Sequence, residues 1–114
     1  MIKLSREELR TNWLAALRGK KYKQTQEVLR NESGFCCLGV LCDIYDSNKW
    51  NIDNTWVTEY TYGKNHEEVN LPESIRRAVG IPKNEVSKLV AMNDEDQLSF
   101  RKIANYLEKE VFAK

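Results

Sequence analysis

The sequence predicts a small α+β domain, with about four to five helices packed on short antiparallel β-hairpins. Three observations carry this. Apolar residues recur at helical spacing in several separate windows, two other windows alternate or flank a polar turn, and clusters of Gly, Pro, Asn and Asp separate them. With no repeats, low-complexity stretches or linker-like segments, residues 1–114 read as one domain. A second would have too few residues left for a core.

The first helix is marked at both ends. Ser5 and Glu8 have the spacing of a capping box, and Leu4 and Leu9 that of a hydrophobic staple. Leu9, Trp13, Ala16 and Leu17 then share one face before Gly19 supplies a stop. Residues 28–30 and 35–36 read as two short strands around the polar turn of residues 31–34.

From Cys37 the period changes. Leu38, Leu41 and Tyr45 share a helical face, flanked by Cys37, Val40 and Ile44, which predicts a helix buried on most sides. Gly39 within it implies a close approach by another backbone. Trp50 and Ile52, a turn at Asp53-Asn54, then Trp56, Thr58, Tyr60 and Tyr62 alternate as a hairpin does.

Residues 63–70 form a charged loop holding His66, the single histidine. Pro72 suits the first position of a short helix with Ile75, Ala78 and Val79 inward, closed by Gly80 and Pro82. Val86, Leu89 and Val90 mark another short helix. Ser99 caps the last, whose apolar face is Phe100, Ile103, Ala104, Leu107 and Val111.

Composition excludes several classes. The apolar runs are too short to span a bilayer, so no membrane association is expected. The first residues lead straight into a charged helix without the apolar core of a signal peptide, which argues against secretion. Cys36, Cys37 and Cys42 are an odd number crowded together, unlike a disulfide framework, and fit reduced thiols in a cytoplasm. Net charge is +1, which argues against bulk nucleic-acid binding. The charge is nonetheless segregated: residues 1–30 hold eight Lys/Arg against three Asp/Glu, residues 31–74 two against eight, and the remainder eight against six.

No motif carries chemistry by itself. Adjacent Cys36 and Cys37 point apart, and a zinc site wants pairs two to four residues apart and usually four ligands, so no metal or cofactor is expected. A nucleophilic thiol would need a base and an orienting group that no spacing selects. The carboxylates at Glu67-Glu68 and in residues 94–96 do not follow the alternation of a calcium loop. Residues 86–107 resemble the start of a helix-turn-helix, but with Ile103-Ala104 in its first helix too little chain follows for a recognition helix. In the other register residues 99–111 are the recognition helix, and Arg101, Lys102, Asn105 and Lys109 would face DNA, which the near-neutral charge opposes.

The candidate site is therefore a binding site. Arg18, Lys20, Lys21 and Lys23 cluster after the first helix, with Tyr22 and Gln24 among them as hydrogen-bonding groups. Trp56, Tyr60 and Tyr62 would supply a stacking face if the hairpin lies close. Cations that hold phosphates beside rings that hold a base suit a small anionic, nucleotide-like ligand. The same residue types suit a protein partner.

Five segments together resemble a family. They are Trp13, Leu14, Ala16, Leu17, Arg18, Tyr22 and Gln24; then Phe35-Cys36-Cys37-Leu38-Gly39-Val40-Leu41-Cys42-Asp43; then Leu71-Pro72; then Met92-Asn93-Asp94; then Ser99, Phe100, Ile103 and Ala104. In this order they look like a family of small proteins of bacteriophages and prophages. The resemblance carries over no catalytic residue. It implies a viral accessory protein in the bacterial host cytoplasm, one that binds a host factor or sequesters a defence signal without catalysis, with room for a homo-oligomer. A DNA-binding regulator and a thiol- or metal-dependent enzyme are the alternatives from other classes.

Overall fold

A computed structural model describes residues 4–54 and 59–113. Helix α1 (Arg6–Arg18) is followed by strands β1 (Arg30–Asn31) and β2 (Gly34–Phe35), then helix α2 (Cys37–Tyr45). A 3-10 turn at Ser47–Lys49 leads into β3 (Trp50–Asn54) and β4 (Glu59–Tyr62). Three helices complete the chain: α3 (Glu73–Val79), α4 (Lys83–Asp94) and α5 (Phe100–Tyr106), the last running into a π-helical segment at Leu107–Phe112. The strands form one antiparallel sheet in the order β2-β1-β4-β3. The fold is α+β, with five α-helices beside short hairpins among the described residues.

Both halves of the α1 capping box are made: the Ser5 hydroxyl accepts from the Glu8 N–H, and the Glu8 carboxylate accepts from the Ser5 N–H. Leu9, Trp13 and Leu17 are buried on the face turned to the core. Trp13 is wholly buried, and its indole N–H donates to the Cys37 carbonyl at 2.9 Å, fixing α1 against the start of α2.

The glycine of α2 meets a backbone, as its position in an apolar helix implies. A Cβ on Gly39 would lie 1.8 Å from the Leu29 carbonyl oxygen, so only glycine allows this crossing. Cys36 caps the helix, its sulfur accepting from the Gly39 N–H. All three cysteines are buried free thiols.

Some boundaries differ from the sequence reading. Pairing continues through Asn54, which faces Glu59 across a bulge, so Asp53 and Asn54 belong to β3 and not to the turn. Trp56 and Thr58 lie outside the described residues. Pro72 is the cap of α3, its ψ of 138° placing it before the first helical residue. The short helix expected around residues 86–90 extends to twelve residues, because Asn93 continues its inward stripe from Leu89. No helix among the described residues is long and apolar enough to cross a membrane.

Candidate functional site

The residues that follow α1 do not wander as a polar loop. The Thr25 N–H donates to the Phe35 carbonyl and the Phe35 N–H to the Lys23 carbonyl, both at 2.8 Å, so this stretch lies along β2. Gly34 permits it, since a Cβ there would come within 2.3 Å of the Lys23 carbonyl oxygen. Tyr22 is thereby set edge-on to Phe35, with ring centroids 5.0 Å apart.

Phe35 continues the row. Its ring lies 5.9 Å from Trp50, which meets Tyr60 at 6.3 Å and Tyr62 at 4.9 Å, all edge to face. Asp43 on α2 holds two members from behind. Its carboxylate accepts from the Tyr22 hydroxyl at 2.5 Å and from the Trp50 indole N–H at 3.0 Å. Burial first, then the Asp43 carboxylate, pushes the Tyr22 phenol up, so it remains a donor.

Arg30 lies over this row. Its guanidinium carbon is 3.9 Å from the centroid of Tyr60, 4.7 Å from Phe35 and 5.3 Å from Trp50. Contacts this close are attractive because the ring faces are electron-rich. Arg30 stands directly opposite Phe35 in the β1–β2 hairpin, which brings the cation to the rings. The rings of Tyr22, Phe35, Trp50 and Tyr60 are half-buried, leaving part of each at the surface.

The structure does not gather the nine residues expected to bind into one site. Tyr22 and Tyr60 belong to the row, and Lys21 sits 5.3 Å from the Tyr22 centroid. Lys20 and Lys23 are exposed nearby in sequence. Arg18 turns to the far end of the chain, donating to Asn105 and pairing with Glu108 at 2.9 Å. Gln24 points inward, donating to Asn93 and to the Leu98 carbonyl. Tyr62 touches Trp50 but is buried, with its hydroxyl donating to the Asp46 carbonyl. Trp56 lies outside the described residues. Arg30, Phe35 and Asp43 were not among the expected site residues, although a hairpin around residues 31–34 already sets Arg30 opposite Phe35.

The other candidates also have structural surroundings. Burial raises the Cys36 thiol to about 11 and the Cys37 and Cys42 thiols well above their ordinary value, so all three are held protonated. Among the described residues, no three His, Cys, Asp or Glu side chains gather as metal ligands do. Of the residues expected to face DNA, Asn105 is engaged by Arg18.

The family model described as Domain of unknown function (DUF8296) matches residues 5–111, nearly the whole chain. The chain belongs to that family. The matched span takes in the α1 capping box, the aromatic row and the Ser99 cap of α5. Neither the curated proteins nor the solved structures contain a match.

Proposed function

We propose that this member of the family is a binding protein and not an enzyme, and that it engages its partner through the aromatic face around Arg30. In this reading it is a phage accessory protein acting in the host cytoplasm, and its partner is a host protein. The observation that supports this most is Arg30 stacked over three half-buried rings. Trp, Tyr and Arg dominate binding hot spots, and the rings of Trp and Tyr offer large contact area with few freely rotating bonds. Here Asp43 fixes Trp50 and Tyr22 in advance, so little ordering remains to be done on association. Held as thiols in the core, the cysteines are poorly suited to nucleophilic work.

One observation favours a second occupant, a small nucleotide-like anion. Exposed Lys21 lies beside the Tyr22 ring, an arrangement that would seat a phosphate next to a stacked base.

The test compares wild-type protein with Arg30→Gln and Tyr60→Ala, after unfolding curves show which variants are folded. The expected outcome is one host protein cross-linked by the wild type and lost, together with its measured affinity, in both folded variants. Native mass spectrometry of protein purified from cells reads the second occupant, as a nucleotide-sized adduct weakened by Lys21→Ala. Undiminished partner binding by both folded variants would remove the aromatic face from consideration.

A further inference from the structure

Away from the aromatic row, a groove of about 380 Å³ lies between α4 and the segment that leads into α3. Its volume falls in the range of small-molecule sites, roughly 300–1,000 Å³. Leu38, Val69, Leu71, Val86 and Val90 give it an apolar lining. Leu38 belongs to the buried core, whereas Val69 is 43% exposed, one of two large hydrophobics so placed among the described residues. An aliphatic group laid along the groove would remove Val69 from water without displacing any core side chain.

The groove has a direction. Lys83, Val86, Ser87 and Val90 line it from α4 at i, i+3, i+4 and i+7, a single stripe about 10 Å long at 1.5 Å per residue. Beside Val90 lies a narrow recess of about 10 Å³ that shares Leu38, Val69 and Val90 and is also lined by Cys36 and Asp94. The opposite end is polar and positive, since Arg76 and Lys83 face the single carboxylate of Glu73. Arg76 is already committed to that carboxylate and to the Ile81 carbonyl, which leaves the Lys83 ammonium as the group suited to an incoming anion.

We propose that this groove binds a free, unbranched aliphatic carboxylate, with its head at Lys83 and its tail over Val86 and Val90 toward the Cys36 recess. A straight chain suits the narrow apolar stripe, and a monoanion suits a rim with one excess positive charge. The site is separate from the aromatic face, so neither depends on the other.

Calorimetric titration of the full chain with hexanoate, octanoate and decanoate, and with the alcohols of the same lengths, tests this. Affinity should rise by up to about fourfold for each added methylene. Each carboxylate should bind several-fold tighter than its alcohol. Lys83→Gln, a change at an exposed position, should erase the preference for the carboxylate while leaving alcohol binding intact. Val86→Thr should weaken both classes. No saturable decanoate binding, equal affinity for decanoate and decanol, or decanoate binding lost on Tyr60→Ala would each overturn the proposal. So would association with phosphatidylglycerol vesicles in place of the free acid.

Discussion

Asn93 illustrates how one side chain can hold distant parts of a chain together. Wholly enclosed on the inner face of α4, it accepts from the Gln24 amide and the Cys37 N–H, and donates to the Thr25 carbonyl and the Asp94 carboxylate. Asp94 in turn accepts from the Glu27 N–H, steadying a non-glycine residue at φ +73°. Asn93→Ala would leave buried backbone groups on two separate segments without partners, each worth about 1–3 kcal/mol. A loss of about 3 kcal/mol or more is expected from urea unfolding, and an unchanged midpoint would refute the assignment. Gly39→Ala tests the other close contact. The methyl would have to displace the Leu29 carbonyl, which is itself fixed by accepting the Cys36 N–H at 3.0 Å. Overpacking costs about 1–3 kcal/mol even where side chains can give way. Here only backbone can move, so the upper end of that range is the expected loss in the same measurement.

At the scale of elements, α1 organises its neighbours by both packing and capping. Arg6 donates to the Arg77 and Ala78 carbonyls, and Arg10 to those of Val79 and Gly80, so α1 satisfies the carbonyl end of α3. Arg10 also lies 4.5 Å from the Phe112 centroid, tying the π-helical end to the same corner. Arg10→Met keeps much of the stem and loses the donors. It should cost about 1–3 kcal/mol, and faster amide exchange at the end of α3 should accompany the loss. What was legible in sequence follows from the range of the interactions. The α1 box, the Ser99 cap and the close approach at Gly39 depend on neighbours or on a residue type with a single physical reason, and the structure contains all three. The full length of α4 was hidden because its inner stripe ends in a polar residue. Asn93 sits four positions after Leu89 and reads as exposed until Gln24 and Cys37 are brought to it. The aromatic face was half legible. Ring alternation marks Tyr60 and Tyr62, but burial of Tyr62 and the placing of Arg30 over Tyr60 depend on β1 pairing with β4, a contact no local pattern encodes.

For the whole molecule, the buried thiols make stability depend on alkaline pH. In the unfolded chain a cysteine ionises near pH 9, whereas the Cys36 thiol in the folded protein is pushed up to about 11 by burial. Between these values the unfolded state has lost a proton that the folded state keeps. Ionisation therefore favours the unfolded state, and stability falls as pH rises. At pH 10 this costs about 1 kcal/mol for Cys36, because each tenfold change in an ionisation equilibrium is worth about that much. Cys37 and Cys42 are also raised well above their ordinary value by burial and act in the same direction. Tyr22 and Tyr62, also raised by burial, add to the decline once the unfolded tyrosines ionise. Urea midpoints should thus fall steeply from pH 9 to pH 10, with the thiols contributing little change between pH 7 and pH 8. Cys36→Ser separates packing from titration. The substitution lowers stability at every pH, but the drop between pH 9 and pH 10 becomes shallower because one buried acid is gone. A drop of undiminished size would mean that the Cys36 thiol is not held protonated by burial.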